Sequence, residues 1–325
     1  MIQGMNNPMK IIYMGTSDFA VPALEALINA GYSIEMVVTQ PDKRGNRGKL
    51  QASPVKELAI KHGLRIEQPV RIKKDEEFIS ELEKIKPDFI VVAAFGQILS
   101  KRVLEVPKYD CLNIHGSLLP KLRGAAPMQF AIAEGLELTG VTIMRMDEGL
   151  DTGDMISKSE IDLPGKDIFQ VTEELAAAGA KLLIETIPKI VSGEANYTSQ
   201  NEAEATHTVL IKKSDGETDF SGTANEEKQK LLAFLKWPNL YSFYNGKLIK
   251  FYDADVIPDS SDKDNIEFGT VTDVSKESFT IKCGKGSLVI KELQMEGKKR
   301  MRAEDFLRGI RLKQGDRFTK RNFHS

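Results

Sequence analysis

Over roughly its first two hundred residues the chain alternates short apolar runs with amphipathic segments of helical period, a pattern that restricts it to an open, mostly parallel α/β sheet. KIIYMG (10–15) reads as a first strand, and DFAVPALEALINAG (18–31) as a helix opened near Asp18 and closed by Gly31. YSIEMVVTQ (32–40) is a second strand, and SPVKELAIKHG (53–63) a helix with Ser53 as cap and Pro54 at its first position. KDEEFISELEKIK (74–86) is a charged amphipathic helix that leads into the apolar strand PDFIVVAAFG (87–96). Further on, DCLNI (110–114) and TGVTIMRM (139–146) read as strands and 166–193 as one long helix with a late Pro188. The turn after the first strand, MGTSDFA, lacks G-x-G-x-x-G, so the sheet is Rossmann-like without the nicotinamide fingerprint.

From about Ala195 to Ser214 the sequence turns polar and loses periodicity, which marks residues 195–214 as a linker between a domain at 9–194 and another at 215–325. The second domain opens with a helix at 224–236 and continues in short strand-like runs. Asn245-Gly246 between two of them is a strong hairpin signal. Several short strands with turn residues predict a small open β-barrel of OB-like kind. No apolar run approaches the ~18 residues that span a bilayer, and the N-terminus shows no signal-peptide core. Residues 1–8 read as a disordered lead, a stretch before an alternative start or a non-native addition, outside the fold. Cys111 and Cys283 make no disulfide framework, which suits a reducing cytoplasm, and no metal-ligand spacing occurs. DEGLDTGD resembles a calcium loop only superficially, lacking its ligand positions and a closing Glu.

Asn113, His115 and Asp151 carry the chemistry. Residues i and i+2 of a strand share a face about 6.6 Å apart, so Asn113 and His115 point together at a spacing suited to one carbonyl group. A neutral amide donor fits an oxygen that becomes negative in a tetrahedral intermediate. An imidazole supplies a base or acid near neutral pH. Asp151, in a Gly-punctuated turn after the second strand, can return toward the imidazole. Each type also has an ordinary structural role, and singly none decides the matter. Cys111 shares the strand face, but four residues of strand hold it roughly 13 Å from His115, too far for a Cys–His nucleophile pair.

Two basic elements stand apart from this trio. PDKRGNRGKLQA (41–52) carries Lys43, Arg44, Arg47 and Lys49 in a connection longer than usual for such a fold. The tail 297–325 holds ten basic and three acidic residues, Lys298, Lys299 and Arg300 among them, in a chain whose net charge is −2. Either element is a credible phosphate-tracking surface or a merely solvated one.

The order NIHGSLLPKLRGAAP (113–127) then TGVTIMRMDEGLDTGDM (139–155) closely resembles the 10-formyltetrahydrofolate-dependent formyltransferases. The likeness extends to GTSDFA, TQPDKRGNRGK…SPVK, AAFGQIL and GKKRM, and so covers nearly the whole chain. The basic loop and the separate basic module single out the tRNA-acting branch. Glycinamide ribonucleotide and aminosugar formyltransferases and formyl-folate hydrolases share only the catalytic core. The resemblance implies transfer of a formyl group from 10-formyltetrahydrofolate to the α-amine of methionyl initiator tRNA, by a metal-free monomer. It implies Asn113, His115 and Asp151 as catalytic, and Ser117, Leu118, Leu119 and Pro120 lining the folate site. It also implies the loop residues Lys43, Arg44, Arg47 and Lys49, with Lys298, Lys299 and Arg300, on the tRNA. Small amines, hydrolysis of the formyl-folate, or RNA binding without catalysis are the alternatives. The run FLKWPNLYS departs from the family's usual Asn-Pro-Trp-Pro, and the basic loop looks a residue short; neither touches the trio.

Overall fold

A computed structural model describes residues 8–44, 50–258 and 266–321. Arg47 and Lys49, and residues 1–7 of the leading stretch, lie outside the described residues. The chain forms two compact units. The first runs to Pro127 and takes in Leu138–Asp162 and Gln170–Thr208; the second holds Met128–Glu137, Leu163–Phe169 and the chain from Val209 onward.

The first unit is built on a seven-stranded sheet. Its strands are β1 (Lys10–Gly15), β2 (Ser33–Val38), β3 (Ile66–Glu67), β4 (Phe89–Ala93), β5 (Cys111–His115), β6 (Leu138–Arg145) and β7 (Met155–Asp162), in the spatial order β7-β6-β5-β4-β1-β2-β3. β1 is parallel to β2 and β4, β2 to β3, and β4 to β5. β6 runs antiparallel to β5, and β7 antiparallel to β6. β4 is buried along its whole length, as its unbroken apolar run requires, and β7 at the sheet edge alternates toward solvent. Helices α1 (Val21–Asn29), α2 (Pro54–Lys61) and α3 (Glu76–Ile85) fill the crossovers. The Ser53 hydroxyl accepts from Lys56 N at 3.2 Å with Pro54 at the first helical position, as the sequence predicts. Ile12, Met14, Ile90 and Val92 pack with Phe78 and Leu82 on one side of the sheet. The 25-residue helix Ile168–Ser192 continues through Pro188.

Strand order reverses between β1 and β4, and open parallel sheets bind ligands beyond the carboxyl ends of strands beside such a reversal. β5, parallel to β4 and next to it, ends on that same side of the sheet at His115. The polar stretch expected as a linker departs from that expectation in its first part. Thr198 exchanges backbone hydrogen bonds with Met155, both 2.9 Å, and His207–Thr208 pair with Arg123–Gly124. Its contacts run through backbone and polar side chains, which leave no hydrophobic period to read.

The second unit carries α4 (Ala224–Phe234), the strands β8 (Leu240–Tyr244), β9 (Lys247–Ile257), β10 (Val271–Val274), β11 (Phe279–Lys282) and β12 (Ser287–Met295), and α5 (Ala303–Gly309). Thr223 and Glu226 form a reciprocal capping box on α4. Asn245 and Gly246 both take positive φ (49° and 74°), the requirement of the tight hairpin their sequence predicts. The antiparallel order is β8-β9-β12-β11-β10. Among the described residues no ladder joins β8 to β10, so the small barrel expected from the sequence is of the open kind. Residues 316–319 lace its edges instead. Val271 N donates to Asp316 O at 2.7 Å, Phe318 N to Gly269 O at 2.8 Å, and Phe243 and Thr319 exchange bonds of 2.9 and 3.0 Å. Phe318 is fully buried among the rings of Phe220, Tyr244, Phe251 and Phe279.

Candidate active site

Asn113 and His115 lie at the carboxyl end of β5 on one face, paired in register with Met144 and Thr142 of β6. The turn after β6 returns Asp151 to them. Asp151 Oδ1 accepts from Asn113 Nδ2 at 3.3 Å, and Oδ2 accepts from Gly124 N at 2.8 Å. The same Oδ2 stands 3.6 Å from His115 Nδ1, with the histidine 6% and the aspartate 14% exposed. His115 Nε2 meets Leu122 O at 3.0 Å. A carbonyl only accepts, so Nε2 carries the proton and Leu122 sets the tautomer. Asp151, beyond ordinary hydrogen-bond length from the ring, acts on it chiefly through its charge.

The backbone around the three is held in a rarely used conformation. Asp151, Leu122 and Ala126 have φ of 54°, 58° and 58°, a region that costs a side-chain-bearing residue about 1–2 kcal/mol. The surroundings that hold it are polar. Gln200 Nε2 donates to Asp151 O and Gly153 O, both at 2.8 Å, and Gln200 Oε1 accepts from Arg123 Nε at 2.9 Å. Arg123 is 1% exposed and forks onto Glu202 at 2.8 and 3.0 Å. Leu122 N donates to Thr206 Oγ1 at 2.8 Å. Gln200 and Thr206 fall in the stretch without periodicity and Arg123 sits in RGAAP; no sequence signal separates them from surface polar residues.

The SLLP segment adjoins the trio. Ser117 Oγ donates to Lys121 O at 2.6 Å across a turn with a cis Leu119–Pro120 bond. Thr142 Oγ1 donates to Ser117 O at 2.7 Å and accepts from Leu119 N at 3.2 Å. Ser117, Leu119 and Pro120 are buried; Leu118 alone is partly exposed, its side chain lying over Gly140. Lys158 Nζ caps Leu119 O at 2.5 Å, and burial holds its ammonium below the ordinary lysine range. Cys111 Sγ lies against Met146 Sδ at 3.7 Å, and burial pushes its thiol up, so it is a packed and unreactive group.

The basic residues are placed more loosely. Lys43–Arg44 pair antiparallel with Leu50–Gln51, on the first unit. Lys298 and Lys299 are exposed on the second. Arg300 is engaged there, its Nε 2.8 Å from Glu292 Oε2 and its guanidinium 4.6 Å over the Tyr252 ring.

Residues 9–187 match the family model described as Formyl transferase, and residues 210–311 that described as Formyl transferase, C-terminal domain. A methionyl-tRNA formyltransferase of Agathobacter rectalis is 48% identical over 313 residues, covering 96% of this chain and 100% of the relative. One of Bacillus subtilis is 43% identical over 310 residues, covering 94% and 96%. Among solved structures, HypX from Aquifex aeolicus in complex with tetrahydrofolic acid superposes with a TM-score of 0.65 at 16% identity, a likeness of fold. The match takes in 97% of this chain and 51% of that one, so the chain spans about half the length of HypX. With both parts of the family pattern present and full-length relatives above two-fifths identity, the chain belongs to the formyl transferase family, among the methionyl-tRNA formyltransferases.

Proposed function

We propose that the chain transfers a formyl group from 10-formyltetrahydrofolate directly to the α-amine of methionine esterified to initiator tRNA. The observation that carries this is the meeting of an amide donor, an imidazole and a carboxylate at the end of β5, with the nearby thiol of Cys111 packed against Met146 instead of facing them. An α-amine titrates near about 8, so an appreciable neutral fraction is present at physiological pH to attack the formyl carbon. Asn113 spends one N–H on Asp151 and has a second for the oxygen that becomes negative. His115 takes the proton the amine loses and gives it to N10 of the folate as the bond from N10 to the formyl carbon breaks and tetrahydrofolate leaves, and the Asp151 charge stabilises the imidazolium formed on the way.

In this reading the folate lies along the SLLP segment, with Leu118 the side chain that meets it and Ser117, Leu119 and Pro120 shaping the turn beneath. Lys43, Arg44, Arg47 and Lys49 track phosphates near the aminoacyl end, and Lys298, Lys299 and Arg300 track them elsewhere on the same tRNA. The chain acts as a monomer in the cytoplasm, where two buried thiols stay reduced. Among the described residues no helix is long and apolar enough to cross a membrane.

The test is tetrahydrofolate release in the presence and absence of charged initiator tRNA. Release is expected only with the charged tRNA. Equal release without any acceptor would make the chain a formyl-folate hydrolase and overturn the proposal.

A further inference from the structure

We infer that Gln200, oriented by the buried guanidinium of Arg123, is a positioning residue for catalysis: it clamps the strained turn that aims Asp151. This rests on the proposed function and extends it to a residue outside the reacting trio. The turn is costly on its own. Asp151 sits at φ 54°, and at Gly153 a β-carbon would meet Arg145 O at 1.9 Å, so the backbone there is pressed against β6. Turns of this kind persist where neighbours over-determine them. Here the two amide hydrogens of one side chain do so, each 2.8 Å from a carbonyl of the turn, Asp151 O and Gly153 O.

The amide cannot rotate end for end without loss. Its oxygen accepts from Arg123 Nε at 2.9 Å, and a flipped amide would set a donor against that N–H and an acceptor against two carbonyls. Arg123 is itself fixed, 1% exposed and forked onto Glu202. The next residue, Gly124, donates its N–H to Asp151 Oδ2 at 2.8 Å. Arg123–Gly124 therefore governs the aspartate from both sides, its carboxylate directly and its carbonyl through Gln200. Released from this clamp, the carboxylate would shift by a fraction of an ångström or more from Asn113 and His115, while the surfaces for folate and tRNA stay in place.

Two near-isosteric variants test this, each compared with wild type for melting temperature, kcat and both KM values. Gln200→Met removes all three hydrogen bonds. Gln200→Glu keeps the acceptor for Arg123 but turns a carboxylate oxygen toward two carbonyls, a conflict relieved when the introduced carboxyl is protonated. In the folded variants kcat is expected to fall on the order of 10–100-fold with KM near wild type, as misplacement of a reacting group does. For Gln200→Glu the ratio of wild-type to variant kcat should also shrink as the pH is lowered, a dependence that Gln200→Met does not share. A kcat within twofold of wild type in both variants, a loss confined to KM, or a Gln200→Glu ratio flat with pH would overturn the inference. The comparison is made on whichever acceptor the wild type formylates, so failure of the tRNA assignment and failure of the clamp are read separately.

Discussion

Replacing Asp151 by Asn separates charge from shape at the centre of the site. The amide is nearly isosteric with the carboxylate. Its oxygen can still accept from Gly124 N, so the turn should hold with Asn113 left in place and its 3.3 Å bond to this side chain given up. The larger loss is a negative charge 3.6 Å from His115 Nδ1. At that separation two unit charges interact by about 4–5 kcal/mol at an effective dielectric near 20 and by about 1 kcal/mol in water. The pair is 6% and 14% exposed, between those limits, so about 2–3 kcal/mol of imidazolium stabilisation should disappear. Each ~1.4 kcal/mol is tenfold in rate, which places the fall in kcat on the order of 10². Single-turnover formylation with saturating folate and charged tRNA measures it without product release. A rise in KM alone, or a kcat within about threefold of wild type in a folded Asp151→Asn protein, would refute charge stabilisation of His115 as the role of Asp151.

Asn113→Ala should lower kcat by about 10²–10³ with little effect on KM, since an oxyanion donor acts in the transition state, whereas Cys111→Ala should stay active; steady-state kinetics of both reads this. Neutralising Lys298 and Lys299 should weaken tRNA binding and reduce the slope of log affinity against log salt by about 1–2, measured by a salt titration, and an unchanged slope would make them solvated surface only. Glu227 is buried with Oε2 unpartnered, and that burial lifts its carboxyl above the ordinary value of 4.5. A raised folded value means that the glutamate's favourable contribution is present below pH 4.5 and lost as pH rises through the folded value. Glu227→Gln should accordingly stabilise the protein by about 1 kcal/mol at neutral pH and lose that advantage in acid, checked by denaturant melts at two pH values.

What the sequence makes legible here is what periodicity encodes. β4 reads as a strand because its apolar run is unbroken, and Asn113 with His115 read as a pair because strands repeat every two residues. Asp151 reads as a turn residue from its flanking glycines, but its left-handed φ does not. The groups that hold it leave no mark: Leu122 and Gly124 act through backbone, and Gln200 arrives 49 residues later in a polar stretch with no period. The second sheet shows the same limit. Its strands and the Asn245-Gly246 hairpin are legible, but its edges are bonded by residues 316–319, which lack strand patterning and are tied down by Phe318.

The acceptor decides the central claim. Incubating the protein with 10-formyltetrahydrofolate carrying a labelled formyl group, in one mixture with charged initiator tRNA, glycinamide ribonucleotide and an aminosugar nucleotide, lets the three amines compete. After a single turnover, mass spectrometry locates the label. It is expected on the α-nitrogen of methionine released from the tRNA, and on neither small amine. Label on glycinamide ribonucleotide or the aminosugar, with none on methionine, would contradict the assignment of initiator tRNA as the acceptor.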